Sequence, residues 1–171
     1  TDVAGSTIAI IGSGSLGQAV ATLGTALGMK PIFAERKGAS QVREGYVSFE
    51  EALQQADIVT LHCPLTPSTT NLIARDELAL MKSTSVLINT GRGGLVNEVH
   101  LIEALKSAEI AGAGVDVFTK EPADTSNPLL ANMSLPNLLL TPHVAWGSDS
   151  ALQSLVDILL NNIDDFVAGK H

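Results

Sequence analysis

Short apolar runs rich in β-branched residues alternate along this chain with longer segments of helical period, and that alternation predicts a parallel sheet joined by crossover helices. Thr7–Ile11, Pro31–Ala34, Asp57–Leu61, Ser85–Asn89, Gly112–Val115 and Leu138–Thr141 read as strands. Most of them are almost continuously apolar, as strands covered on both faces are. Ser15–Leu27, Ser48–Gln54, Asp76–Met81 and Asn97–Ser107 read as helices, and a last helix is expected from about 148 to 167. That last segment places Leu152, Leu155, Val156, Leu159, Leu160 and Ile163 on one side, with Gly169 just past its end. The tract from Phe118 to Pro136 shows no period, and a loop of that length in a compact domain marks a site region.

Gly12-Ser13-Gly14-Ser15-Leu16-Gly17 fits G-x-G-x-x-G directly after the first strand and at the start of a helix. The reasons for this spacing lie in the backbone. Gly12 permits the tight turn, Gly14 lets a pyrophosphate approach the main chain, and Gly17 lets the helix lie on the strand, while the helix N-terminus offers unpaired N–H groups to phosphate. The other reading is a tight strand-to-helix turn with no ligand. Glu35 ends the second strand, where a carboxylate accepts from the adenosine ribose hydroxyls and repels a 2′-phosphate, so NAD is expected in preference to NADP. Arg36 and Lys37 follow directly and suit such a phosphate; a solvated charge cluster is the alternative for all three.

Composition narrows the picture further. The chain has 171 residues, 45% hydrophobic and 16% charged, so it folds, and its length predicts one domain over residues 1–171 with one hydrophobic core. Ten Lys and Arg against 18 Asp and Glu give a net charge of −8 with no basic patch, which excludes nucleic acid as a partner. Cys63 is the one cysteine, so no internal disulfide forms, and with no secretory leader the expected location is the cytoplasm. Six glycines interrupt the uncharged stretch after Asp2, and Pro128, Pro136 and Pro142 cut the one around them, so no membrane span is expected. The four histidines and Cys63 lack metal-ligand spacing, and neither G-x-S-x-G nor a phosphate loop ending in Lys-Ser/Thr is present.

Asn89-Thr90-Gly91-Arg92-Gly93-Gly94 follows a buried strand and places Arg92 at the sheet's carboxyl edge, where its planar fork suits a substrate carboxylate. A helix-start loop with a surface arginine is the plainer reading. Thr141-Pro142-His143-Val144-Ala145-Trp146 brings His143 to the same edge, as a general acid or base or as a satisfied structural histidine. Glu121, in the long loop, is a possible carboxylate partner for the imidazole.

Together with His62-Cys63-Pro64-Leu65-Thr66, Gly114-Val115-Asp116-Val117-Phe118 and Glu121-Pro122, these motifs closely resemble, over essentially the whole chain, the D-isomer-specific 2-hydroxyacid dehydrogenases. The resemblance implies a doubly wound α/β NAD-binding domain of Rossmann type, whose companion substrate domain is absent from this chain. It implies Arg92 as the residue that holds the substrate carboxylate, Glu121 as the support of the histidine, and His143 as the proton donor. It implies Cys63, Pro64, Thr90 and Gly91 as lining the cofactor, and Asp116 as lying near the nicotinamide carboxamide. Gly91 stands where alanine is commoner and Asn97 where aspartate is. Residues 33–39 and Trp146 look most like the glycerate dehydrogenase, or hydroxypyruvate reductase, branch, although a corepressor branch shares that tryptophan. The resemblance thus implies hydride exchange between nicotinamide and a 2-keto or D-2-hydroxy acid such as hydroxypyruvate or glyoxylate, in a homodimer. A non-catalytic NAD(H)-sensing module and an S-adenosylmethionine-dependent methyltransferase are the rival readings.

Overall fold

In the computed structural model, which describes residues 2–170, seven parallel strands form one sheet. In chain order the strands are β1 (Thr7–Ile11), β2 (Lys30–Ala34), β3 (Tyr46–Val47), β4 (Ile58–Leu61), β5 (Val86–Asn89), β6 (Gly112–Val115) and β7 (Leu138–Leu140). The helices are α1 (Ser15–Ala26), α2 (Phe49–Gln55), α3 (Arg75–Leu80), α4 (Glu98–Lys106), α5 (Pro128–Ala131) and α6 (Asp149–Val167). Across the sheet the order is β3-β2-β1-β4-β5-β6-β7. The winding reverses between β1 and β4, and in open α/β sheets ligands bind in the crevice outside the carboxyl ends of the strands at that point.

Side-chain caps begin several helices where polar residues interrupt the apolar pattern. Ser48 accepts from the Glu51 N–H at 3.2 Å to start α2, Asn97 from the His100 N–H at 3.1 Å to start α4, and Ser148 from the Ala151 N–H at 3.2 Å to start α6. At the amino edge, Asp57 ties two strands together. One carboxylate oxygen accepts from the Thr7 N–H at 2.8 Å and the other from Lys82 Nζ at 2.8 Å, and these bonds hold its carboxyl below the usual range.

Parallel register sends alternate rows of side chains to opposite faces. Ala9, Val59, Leu87, Ala113 and Leu138 form one row, and it packs in a large core with Phe49 and Leu53 of α2, Leu78 of α3 and Leu101 of α4. Ile10, Thr60, Ile88, Gly114 and Leu139 form the opposite row. There Ile8, Ile10 and Met29 make a second, smaller core beneath Val20 and Ala21 of α1. The single core expected from length is therefore two, because helices cover both faces of the sheet. The second face opens out away from α1: Ile88 is only half buried and Leu139 is 68% exposed. No residue of α6 is buried, so its apolar side, predicted as a packing face, is uncovered among the described residues.

Candidate functional site

The crevice at the switch point is built on glycines. Gly12 has φ of +107°, and a Cβ placed there would lie 2.6 Å from the backbone nitrogen of Cys63. A Cβ on Gly17 would lie 2.0 Å from the Gly12 carbonyl oxygen. These two glycines are required by packing of the protein on itself. Gly14 differs, since a Cβ there would have nothing within 4 Å. Its open side faces no protein atom, and no side chain caps the first turn of α1 formed by Ser15, Leu16 and Gly17. Unpaired N–H groups at a helix start beside an open backbone suit a pyrophosphate. The adjoining cavity, about 590 Å³, is lined by Gly12, Ser13, Gly14, Glu35, Arg36, Cys63 and Pro64 among others. Those residues fit a dinucleotide.

Glu35 lies directly after β2, at the strand end the sequence pointed to, but its carboxylate is already engaged. Arg43 donates to it from Nε at 2.6 Å, from Nη2 at 2.8 Å and from its backbone N–H at 3.2 Å, and the Arg36 N–H adds a fourth bond at 2.8 Å. The Arg43 side chain, followed by the other bonds, pulls the carboxyl down to about 2. The Arg43 guanidinium also lies 3.9 Å from the ring centroid of Tyr46, whose hydroxyl donates to Ser13 Oγ at 2.7 Å in the glycine loop. Lys37 is taken by Glu77 at 2.7 Å. Sequence reasoning missed Arg43 and Tyr46, which lie in no motif.

Beyond β4, His62 and Cys63 border the same cavity. Burial pushes the His62 imidazole down and the Cys63 thiol up, so both are neutral near pH 7. Past β5 the loops again touch through glycine. Gly91 would place a Cβ 3.1 Å from the Leu61 carbonyl oxygen, and Gly93 would place one 1.8 Å from the Phe118 carbonyl oxygen. Buried Asn89 braces the turn around Thr90, accepting from the Gly91 N–H at 3.1 Å and donating to the Arg92 carbonyl at 3.1 Å. Arg92 is exposed, donates to the Gly91 carbonyl at 2.8 Å and has no carboxylate partner among the described residues.

Phe118, the residue against Gly93, donates its N–H to Glu121 Oε1 at 2.9 Å, and Glu121 Oε2 lies 2.6 Å from His143 Nδ1. The Phe118 bond first, and His143 second, hold the Glu121 carboxyl below its usual range. An ionised carboxylate only accepts, so Nδ1 donates, and Nε2 is the nitrogen left to exchange a proton. Asp116, almost fully buried, accepts from the Val144 and Ala145 N–H groups at 2.9 Å each and from the Thr141 hydroxyl at 2.5 Å. Burial pushes this carboxyl up, but the three hydrogen bonds outweigh it and leave it below its usual range. Thr141, predicted as the end of the last strand, lies past β7 and serves this turn. An apolar cavity of about 560 Å³ borders Glu121 and His143 on the side of Leu130 and Met133.

A sheet that reverses its winding beside an uncapped glycine-loop helix defines a doubly wound dinucleotide-binding domain. Residues 1–145 match the family model for the D-isomer specific 2-hydroxyacid dehydrogenase, NAD binding domain, and the chain belongs to that family. It is 52% identical over 172 residues to a Haemophilus influenzae protein assigned to the 2-hydroxyacid dehydrogenases, covering all of this chain and 55% of the relative. It is 49% identical to the glycerate dehydrogenase of Methylorubrum extorquens, covering 99% of this chain and 52% of the relative. The NAD-complexed D-isomer specific 2-hydroxyacid dehydrogenase of Lactobacillus delbrueckii ssp. bulgaricus superposes with a TM-score of 0.88 at 33% identity, over 100% of this chain and 56% of that one. The chain spans about half the length of the curated relatives it matches. Membership in this family sets the methyltransferase reading aside.

Proposed function

We propose that this chain is the NAD-binding half of an enzyme that interconverts a 2-keto acid and a D-2-hydroxy acid, with hydroxypyruvate or glyoxylate as the keto substrate. The observation that carries the reading is the 2.6 Å contact between His143 Nδ1 and Glu121, on the sheet edge that also bears Arg92, which has no carboxylate partner among the described residues. A nicotinamide bound in the crevice supplies the hydride for the keto carbon. His143 delivers the proton to the keto oxygen from Nε2, Glu121 keeps Nδ1 protonated and the ring oriented, and Arg92 holds the substrate carboxylate and faces the oxygen as its charge grows. Gly12 and Gly17 shape the loop that offers Gly14, Ser15 and Leu16 to the pyrophosphate, while Cys63, Pro64, Thr90 and Gly91 border the cofactor.

The rest of the whole protein is a substrate domain closing over this edge, and the protein works as a homodimer in the cytoplasm. The open rows at Ile88 and Leu139 and the bare apolar side of α6 are apolar surface of the kind that further polypeptide covers. Among the described residues no helix is long and apolar enough to cross a membrane. The test is NADH oxidation by the full-length protein with hydroxypyruvate, glyoxylate and pyruvate. Turnover with at least one of them is expected. Tight NADH binding with no turnover of any 2-keto acid would return the protein to the sensing-module reading.

A further inference from the structure

Glu35 stands where the second strand of a dinucleotide fold presents its carboxylate to the adenosine ribose, and that carboxylate has about four acceptor positions. All four are used here. Oε1 accepts from the Arg36 N–H and Arg43 Nη2, and Oε2 accepts from the Arg43 N–H and Nε, all within 3.2 Å. The group is only 5% exposed although it borders the cavity, so little of it is left for a ribose diol to reach. The Arg43 guanidinium is itself held from its other side by the Tyr46 ring, 3.9 Å from the centroid. Tyr46 in turn is tied to Ser13 of the glycine loop. The clamp is therefore part of the wall of the cofactor cavity, which Glu35, Arg36 and Arg43 all line.

Charge points the same way. Glu35 is neutralised by Arg43 and Lys37 by Glu77, while the exposed Arg36 guanidinium has no ion-pair partner among the described residues. A carboxylate free to face the ribose would repel a 2′-phosphate; one saturated by arginine, beside a second arginine, would not.

Resting on the cofactor reading above, we propose that Arg43 sets cofactor discrimination in this domain: by saturating Glu35 it withholds that carboxylate from the ribose, and the site accepts NADP(H) nearly as well as NAD(H). Arg43 acts through Glu35 and is a specificity-determining residue, not a catalytic one.

The test is fluorescence titration of the full-length protein with NADH and NADPH. The unmodified protein is expected to hold the two with dissociation constants within roughly tenfold of each other, a difference of about 1.4 kcal/mol. In Arg43→Ala, Glu35 is released, and NADPH affinity relative to NADH affinity should fall by roughly tenfold or more. Far-UV circular dichroism and the urea midpoint check that this variant is folded. Adding Glu35→Gln to Arg43→Ala should restore NADPH binding, because the repelling charge is gone, and a structural role for Arg43 alone would give no such rescue. Four results overturn the proposal: an unmodified protein that prefers NADH by a hundredfold, equal loss of both cofactors in Arg43→Ala, unchanged binding of both, or failure of the double variant to recover. If the unmodified protein binds neither cofactor, the cofactor reading falls and this proposal with it. That outcome is separate from the four in which NADH binds normally to the unmodified protein.

Discussion

Asp116 fixes the turn that carries His143. His143 sits in the left-handed region at φ of 55°, and the two N–H groups that follow it, from Val144 and Ala145, both end on the Asp116 carboxylate at 2.9 Å. A non-glycine residue in that region is held there at a cost of roughly 1–2 kcal/mol, and the buried acceptor offsets it. Asp116→Asn replaces one acceptor oxygen by a donating amide, so one of the three groups now bonded meets a donor. The variant is expected to lose roughly 1–3 kcal/mol of stability in urea unfolding. In the full-length protein kcat should fall with it, because the turn that carries the proposed proton donor loosens. Unchanged stability and unchanged kcat would show that the turn holds itself.

Gly93 is where the loop that carries Arg92 meets the loop that leads to Glu121. Because a Cβ there would overlap the Phe118 carbonyl oxygen at 1.8 Å, Gly93→Ala has to push the β5 loop away from the β6 loop. Backbone, unlike a flexible side chain, gives way poorly. We expect a loss of about 1–3 kcal/mol or more, seen as a lower urea midpoint, whereas Gly14→Ala, with open space around it, should leave stability nearly unchanged and weaken NADH binding instead. The reverse pattern would contradict the division of labour between these glycines.

The Glu35–Arg43 clamp also predicts an acid sensitivity. In the folded chain the Glu35 carboxyl lies at about 2, against 4.5 ordinarily. Its folded value is the lower one, so the unfolded chain takes up the proton first as pH drops. The stabilisation is fully present above about 4.5 and is lost progressively as pH falls toward 2. Glu35→Gln should therefore be less stable than the unmodified chain at pH 7, with the gap closing between those two values. A gap that stays constant over that window would mean that the carboxylate's charge contributes nothing.

The glycine loop, the Arg92 turn and the Thr141-Pro142-His143 turn were legible because each puts a short polar motif directly after an apolar strand, and the sheet then carries all of them to one edge. What escaped had no local pattern. β3 is the two residues Tyr46–Val47 and α5 the four residues Pro128–Ala131, both too short for a period of 2 or 3.6 to show. Arg43 lies in a loop of mixed polar residues, and only the folded path from β2 to β3 returns it to Glu35, eight positions earlier. The apolar side of α6 was legible as a stripe, yet periodicity records only that a face is apolar. It does not say what the face packs against, and within the described residues nothing does.

The chemistry of the edge is separable by three substitutions in the full-length enzyme. His143→Ala removes the proposed proton donor and should lower kcat for keto-acid reduction by roughly 10²–10⁴-fold, the range for a positioned general acid, with NADH affinity little changed. Glu121→Gln keeps an acceptor for Nδ1 but removes the negative charge of a carboxyl that the Phe118 N–H and His143 hold below its usual range. Its loss should be smaller than that of His143→Ala, because the imidazole remains in place and only its charged partner is gone. Arg92→Ala should raise KM and lower kcat together if, as proposed, the guanidinium binds the carboxylate in the ground state and meets the developing oxyanion in the transition state. Combining His143→Ala with Glu121→Gln should cost little beyond His143→Ala alone, as two groups acting through one proton are not additive. Single-turnover measurements keep product release from masking these differences. If His143→Ala left the chemical step at full rate, proton delivery would have to come from elsewhere and the role given to His143 would be abandoned.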